Sequence, residues 1–303
     1  MRLYSKKIHV TNSHVLKEKG PILIACNHPN TFADAIILAT QFQRPIFSLA
    51  RGDAFANKFA VKILRSLNIL PIYRFSDNPD KVHENYNTFH ECRALFRKNE
   101  IVLMFSEGLS LNEWKLRSLK KGTARLAFSS WEEGIDLTVL PAGINYHSFT
   151  SFGKIVHINF GKPFNWNTFD CRKMDGTSVN DFNQKLKNEL MQLVDHIEKN
   201  DNQTLKKKFG TKQNNVKKNI LHLPAFIGKW IHAPLYKPLQ KWSWRKVGKN
   251  DHYDSVLVGL LFLTYPVYLM LVAIALYYCN AGWYCIATFF LFPFLFPSKS
   301  NPI

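Results

Sequence analysis

An imidazole, His28, and a carboxylate, Asp34, stand six positions apart in the run Asn27-His28-Pro29-Asn30-Thr31-Phe32-Ala33-Asp34. Imidazole has an unperturbed pKa near ~6.5, so it accepts a proton at neutral pH, and a carboxylate on its second nitrogen fixes the tautomer and steadies the imidazolium. The pair reads as a general base acting on a hydroxyl. A structural reading competes with it. Thr31 and Asp34 have the spacing of a capping box, so Asp34 would complement the first turn of a helix through Ile36, Ile37 and Leu38.

The segment sits where a strand would hand over to a helix, because the short apolar run Ile22-Leu23-Ile24-Ala25 precedes it. Similar runs recur at Ile46–Ala50, Ile69–Tyr73, Ile101–Phe105, Leu137–Ile144 and Ile155–Phe160, often separated by stretches of helical period. Short continuous apolar runs alternating with helical segments predict an α/β fold with a mostly buried central sheet flanked by helices. A helix is expected from about Ser178 to Asn200, with Val179, Phe182, Leu186, Leu190, Leu193, Val194 and Ile197 on one face and Thr177 or Ser178 as N-cap.

Three further strand ends carry distinctive residues. They are Leu67-Asn68-Ile69-Leu70-Pro71-Ile72-Tyr73-Arg74; Phe105-Ser106-Glu107-Gly108-Leu109-Ser110, followed later by Leu119-Lys120-Lys121-Gly122; and Val139-Leu140-Pro141-Ala142-Gly143-Ile144. With Asn27 to Asp34, their order and spacing resemble the four sequence blocks of the glycerophospholipid acyltransferase family, whose members act on lysophosphatidic acid or glycerol 3-phosphate. The resemblance runs over roughly residues 8 to 165. It implies acyl transfer from a thioester of coenzyme A or acyl carrier protein to a glycerol-phosphate hydroxyl. It also implies that His28 is the base and Asp34 its orienting partner. By the same resemblance Arg74, Glu107 and Gly108 bind or position the acceptor, and Leu140-Pro141 lies on the acyl-donor side. Five residues separate His28 from Asp34 where the commonest family form has four, and the form His-Pro-Asn-Thr-Phe-x-Asp resembles a subgroup. Ser106 stands where Pro is usual, and Leu111 where that subgroup tends to have His.

Read as chemistry alone, a phosphomonoester calls for a guanidinium fork and a lysine, which Arg74 with Lys120 or Arg117 would supply. Glu107 would hold a glycerol hydroxyl or orient Arg74, while Gly108 lets the backbone approach a ligand closely. Asn27 and Ser110 complete the expected acceptor-binding set. A covalent route would need a nucleophile, yet Gly108-Leu109-Ser110-Leu111-Asn112 lacks the second glycine of a Gly-x-Ser-x-Gly elbow. Cys26 reads as a small buried strand residue. His83, His90, His147 and His157 show no metal-ligand spacing, and no cofactor is expected beyond the acyl thioester as substrate.

Charge and hydropathy set the location. Of 303 residues, 40 are Lys or Arg and 22 are Asp or Glu, and the window Lys199 to Lys249 alone contributes +12 of the net +18. Beyond it, Ser255 to Ser298 contains no Asp, Glu, Lys or Arg. Ser255 to Tyr278 is long enough to cross a hydrocarbon core of ~30 Å. A second run, Trp283 to Pro297, makes either a C-terminal helical membrane hairpin, turning at Cys279 to Gly282, or a segment lying in the interface. Positive charge outside both ends places them in the cytoplasm. Basic residues interleaved with Trp230, Trp242 and Trp244 suit a headgroup layer, whereas nucleic-acid binding would explain the charge but not the uncharged tail. Five cysteines without CxxC spacing argue against a disulfide framework or zinc site, and the N-terminus lacks a secretory h-region.

The expected layout is an acyltransferase domain over 1–200, a basic interfacial segment over 201–252, and the membrane element over 253–298. Expected partners are membrane lipids, a glycerol-phosphate acceptor and an acyl thioester. Another polar-lipid acceptor, or a non-catalytic membrane adaptor with the same fold, are the alternatives.

Overall fold

The computed structural model describes residues 5–74, 79–151, 153–169, 174–198, 201–210, 222–248 and 251–278. Seven strands form one sheet: β1 (Ser5–Thr11), β2 (Ile22–Cys26), β3 (Ile46–Arg51), β4 (Ile69–Ile72), β5 (Ile101–Phe105), β6 (Thr138–Tyr146) and β7 (Lys154–Phe160). Their spatial order is β1-β7-β6-β2-β5-β3-β4. Every pairing is parallel except β6 with β7. An antiparallel pair needs no crossover helix of the kind that parallel strands require.

β2 lies at the centre, and all five of its residues are buried. Strand side chains alternate between faces, and here each face meets a different helical layer. Leu23 and Ala25 join Val102, Met104 and Val139 against Phe96, Phe128, Phe182, Leu186 and Leu190. Ile22, Ile24 and Cys26 join Leu103, Leu140, Ala142 and Ile144 against Ile37 and Leu38. The first layer comprises α3 (Asn85–Arg97), α4 (Gly122–Glu132) and α5 (Gly176–Leu193); α1 (Thr31–Ala39) covers the other face. Each fully buried Leu, Ile or Phe contributes about 1.5–3 kcal/mol of hydrophobic stabilisation, so the sheet is held mainly from these two cores.

Helix α5 is shorter than its apolar period suggests. Asp175 is its N-cap, closing a capping box with Ser178, rather than Thr177 or Ser178. At the other end the Leu193 carbonyl accepts from the side-chain amides of Asn145 (2.9 Å) and Asn159 (2.9 Å), and the Asp195 N–H donates to Asn145 Oδ1 at 2.7 Å. Two asparagines from the sheet thus replace the next helical turn. Val194 and Ile197 remain buried, but outside the helix. Past this point α6 (Asn202–Phe209) packs Leu205 and Phe209 against Ile155 and Ile197.

Two long helices follow, α7 (His222–Val247) and α8 (Tyr253–Tyr278). Tyr253, Leu257 and Leu261 of α8 pack on Leu235, Tyr236 and Leu239 of α7. Beyond this contact α8 exposes Phe262, Leu263, Val267, Met270, Leu271 and Ile274. Its 26 residues make it long and apolar enough to cross a membrane. Trp230, Trp242 and Trp244 are exposed on α7. The expected turn at Cys279 to Gly282 and the second apolar run, Trp283 to Pro297, lie outside the described residues.

Candidate active site

Sheet register brings the first and third motifs together. Cys26 of β2 pairs with Phe105 of β5 and with Ala142 of β6. His28 and Glu107 therefore both lie two residues past paired positions on adjacent parallel strands, at the carboxyl end of the sheet where open α/β folds place their ligands. The His28 N–H donates to Glu107 Oε2 at 3.0 Å, and the His28 carbonyl accepts from the Leu111 N–H at 3.2 Å. The His28 ring stacks on Phe105, with centroids 3.7 Å apart and planes 9° from parallel.

His28 Nδ1 lies 2.9 Å from Asp34 Oδ2. Asp34 is completely buried, while the His28 side chain retains 17% exposure. The same Oδ2 accepts from the Asn30 N–H at 2.8 Å, and Oδ1 accepts from the Tyr146 hydroxyl at 2.6 Å. Thr31 and Asp34 do not close the expected capping box, but Asp34 does serve the first turn of the helix as well as the imidazole. Asp34 binds a backbone N–H at the start of α1, where Asn30 is the N-cap and has no side-chain capping bond, and it also fixes the imidazole. A carboxylate on Nδ1 favours Nδ1 as the protonated nitrogen and leaves Nε2 as the proton acceptor. Tyr146 is absent from the expected set. The apolar alternation Ala142, Ile144 would have reached it if carried two residues further.

Thr31 has φ +42, an unusual value for a β-branched residue, and a strained backbone of this kind costs on the order of 1–3 kcal/mol. Ser110 Oγ accepts the Thr31 N–H at 2.8 Å. The expected acceptor-side serine thus buttresses the corner that carries the base.

Glu107 is buried and engaged by the chain itself. Besides the His28 N–H, its Oε1 accepts from the Arg117 N–H at 2.8 Å and its Oε2 from Arg117 Nη2 at 3.2 Å. Arg117 also donates to the Leu109 carbonyl. The guanidinium that holds Glu107 is that of Arg117, whereas the sequence points to Arg74. Gly108, with φ +68, sits under Lys120; a Cβ there would stand 2.9 Å from Lys120 Cγ. Lys120 is itself exposed, and its N–H donates to the Ser106 carbonyl at 2.8 Å. Arg74 is half-buried two residues past β4, the edge strand, with β3 between it and β5. Asn27 is committed to the sheet: its Nδ2 donates to the Ile144 carbonyl (3.0 Å) and its Oδ1 accepts the Ile144 N–H (2.8 Å).

Cys26 is fully buried, and burial, followed by the negative charges of Asp34 and Glu107, pushes its thiol pKa well up. A thiol held protonated in the core is a poor nucleophile. Among the described residues no group of three or more His, Cys, Asp or Glu side chains is placed to hold a metal ion.

The site is therefore an imidazole–carboxylate pair on a strand-to-helix corner of an α/β sheet, an arrangement able to accept a proton from a hydroxyl. Residues 7–145 match the family model described as Acyltransferase, and that stretch holds His28, Asp34, Arg74, Glu107 and Lys120. This stretch, which holds most of the sheet, is thus an acyltransferase-family domain. Among solved structures it is similar to the crystal structure of the 1-acyl-sn-glycerophosphate (LPA) acyltransferase, PlsC, from Thermotoga maritima. Identity is 16% over 63% of this chain and 73% of that one, with a TM-score of 0.43. No curated protein matches the chain.

Proposed function

We propose that the chain is a membrane-bound O-acyltransferase. It moves a fatty acyl group from a thioester of coenzyme A or acyl carrier protein to a hydroxyl of glycerol 3-phosphate or 1-acylglycerol 3-phosphate. The observation that supports this most is the His28 Nδ1 to Asp34 Oδ2 contact of 2.9 Å, with the carboxylate buried and held by two further donors. That arrangement supplies a base of fixed tautomer and direction without any serine or cysteine nucleophile.

In this reading Nε2 of His28 takes the acceptor hydroxyl proton as the oxygen attacks the thioester carbonyl. A carbon–oxygen bond forms, the tetrahedral intermediate collapses, and the carbon–sulfur bond breaks. The imidazolium returns its proton to the departing thiolate, so the base is regenerated and no acyl-enzyme arises. Arg74 and Lys120 are the cations that grip the acceptor phosphate, at the same carboxyl end of the sheet as the base. Glu107 keeps Arg117 and the His28 backbone in place, and Gly108 lets the acceptor approach the chain.

Membrane attachment suits the substrates, since long-chain donors and lysolipid acceptors reside at the bilayer surface. The acyltransferase domain spans 1–200 and faces the cytoplasm, the basic segment 201–252 lies on the headgroups, and 253–298 holds the protein in the membrane. Detergent-purified protein should release free thiol from palmitoyl-coenzyme A only when an acceptor is added, with glycerol 3-phosphate and 1-acylglycerol 3-phosphate tested in parallel. Labelled acyl glycerol phosphate as product is the expected result. Folded protein that transfers to neither acceptor, from coenzyme A or carrier-protein thioesters, contradicts the proposal.

A further inference from the structure

The first turn of the apolar helix α8 is wired into the corner that carries the base. Asn30 Nδ2 donates to Asp254 Oδ2 at 2.9 Å, across 224 residues of chain. The other carboxylate oxygen, Asp254 Oδ1, lies 3.0 Å from Lys154 Nζ at the start of β7, and Lys154 also donates to the Phe149 carbonyl at 2.7 Å. Next along the helix, the Ser255 hydroxyl meets the Thr31 hydroxyl. Just before it, Asp251 Oδ1 accepts the Asn112 N–H at 3.1 Å, in the loop that follows Glu107 and Ser110. Asn30, Lys154 and Asp254 are all buried.

This is an unusual foot for a membrane helix. An ion pair taken out of water is costly to desolvate and is repaid only by good geometry and further hydrogen bonds. Burial depresses the Lys154 pKa, and the Asp254 charge opposes that shift. A greasy patch would dock the helix with less penalty, and α8 already has one in Val258, which packs against the core on the α1 face. Two of the polar contacts instead end on consecutive residues, Asn30 and Thr31. The Asn30 N–H holds Asp34, and Thr31 has the left-handed backbone.

We propose that Asp254 and Ser255 are positioning residues, through which the membrane helix holds the Asn30–Thr31 corner, and hence the His28–Asp34 dyad, in its working geometry. This rests on the reading of His28 and Asp34 as the catalytic pair. Two consequences follow. The base stands at the cytoplasmic end of the span, level with the headgroups, where a lysolipid hydroxyl lies. And the catalytic domain is completed by its anchor rather than merely tethered to it.

The single change Asp254→Asn would leave Lys154 buried without its counter-charge, so folding and positioning would fail together. The paired change Lys154→Met with Asp254→Leu removes both charges and the acceptor of the Asn30 amide, while keeping apolar volume, a class of replacement that is often neutral or stabilising. Full-length protein in detergent, with palmitoyl-coenzyme A and 1-acylglycerol 3-phosphate, is assayed for kcat and KM beside its thermal unfolding midpoint. The expected result for the pair is a kcat lowered at least ~10-fold, KM within about 2-fold, and a cooperative unfolding transition near that of the wild type, because a misplaced base costs rate and not binding. Ser255→Ala, which removes only the hydroxyl facing Thr31, should lower kcat about 3-fold with an unchanged midpoint, and it decides the matter if the paired variant does not fold. Wild-type kcat in the folded paired variant, or in Ser255→Ala where the pair does not fold, overturns the proposal alone when His28→Ala is inactive. An active His28→Ala overturns the reading of the site and this proposal with it.

Discussion

Both oxygens of Asp34 are occupied, by groups from the β2–α1 corner and from β6, and the carboxylate is sealed from solvent. On the proposed acceptor side, Arg74 is half-buried beyond an edge strand and Lys120 is exposed. In the proposed reading the base is thus preorganised by the fold, whereas the phosphate cations stand at less buried positions. Proton transfer demands a fixed direction, within hydrogen-bond reach, for the nitrogen that accepts the proton. A doubly charged phosphate is attracted from further away and tolerates mobile cations. Damage to the first region should therefore appear in kcat, and damage to the second in KM.

The largest separation is expected from Asp34→Asn, which keeps the shape but removes the charge that fixes the His28 tautomer. kcat should fall about 10³-fold in steady-state transfer assays, with little change in KM. An unaltered kcat would return Asp34 to a purely capping role. Tyr146→Phe deletes one charge-assisted hydrogen bond to the same carboxylate, and a kcat reduction of about 10-fold is expected. The comparison sharpens on the other side: Arg74→Ala and Lys120→Ala should each raise KM for glycerol 3-phosphate about 10-fold while kcat stays near wild type. A kcat effect larger than the KM effect would mean that these cations act on the transition state. Cys26→Ala should leave kcat at the wild-type value, since the thiol is buried and held protonated. Loss of transfer in a folded Cys26→Ala protein would revive an acyl-enzyme route.

The same contrast explains what the amino-acid order discloses. β2, β5 and most of β6 are continuous apolar runs because both faces of a central parallel strand are covered, and such runs are visible without a partner. β1, with Lys6, Lys7 and His9 among its residues, is an edge strand of low apolar content, and its pairing with β7 at the far side of the sheet is invisible locally. Helix α5 looks five or more residues too long because Val194 and Ile197 keep the apolar period after the backbone has left the helix. Only Asn145 and Asn159, far away in sequence, show where it stops. His28 and Asp34 are legible because they share one local segment. Tyr146, Arg117 and Asp254 reach the site through register, loop return and a contact spanning 224 residues, none of which spacing encodes. Glu107 stands out in its motif, but its partner Arg117 does not. Carboxylate and guanidinium are matched by the loop between Leu109 and Arg117 rather than by β4.

The central claim is that His28 deprotonates the acceptor hydroxyl. Single-turnover transfer of labelled palmitate from palmitoyl-coenzyme A to 1-acylglycerol 3-phosphate, by wild-type and His28→Ala protein of equal unfolding midpoint, tests it most directly. The account predicts that the variant binds both substrates and transfers about 10²- to 10⁴-fold more slowly, the range expected for loss of a general base. Transfer at the wild-type rate by His28→Ala would contradict it.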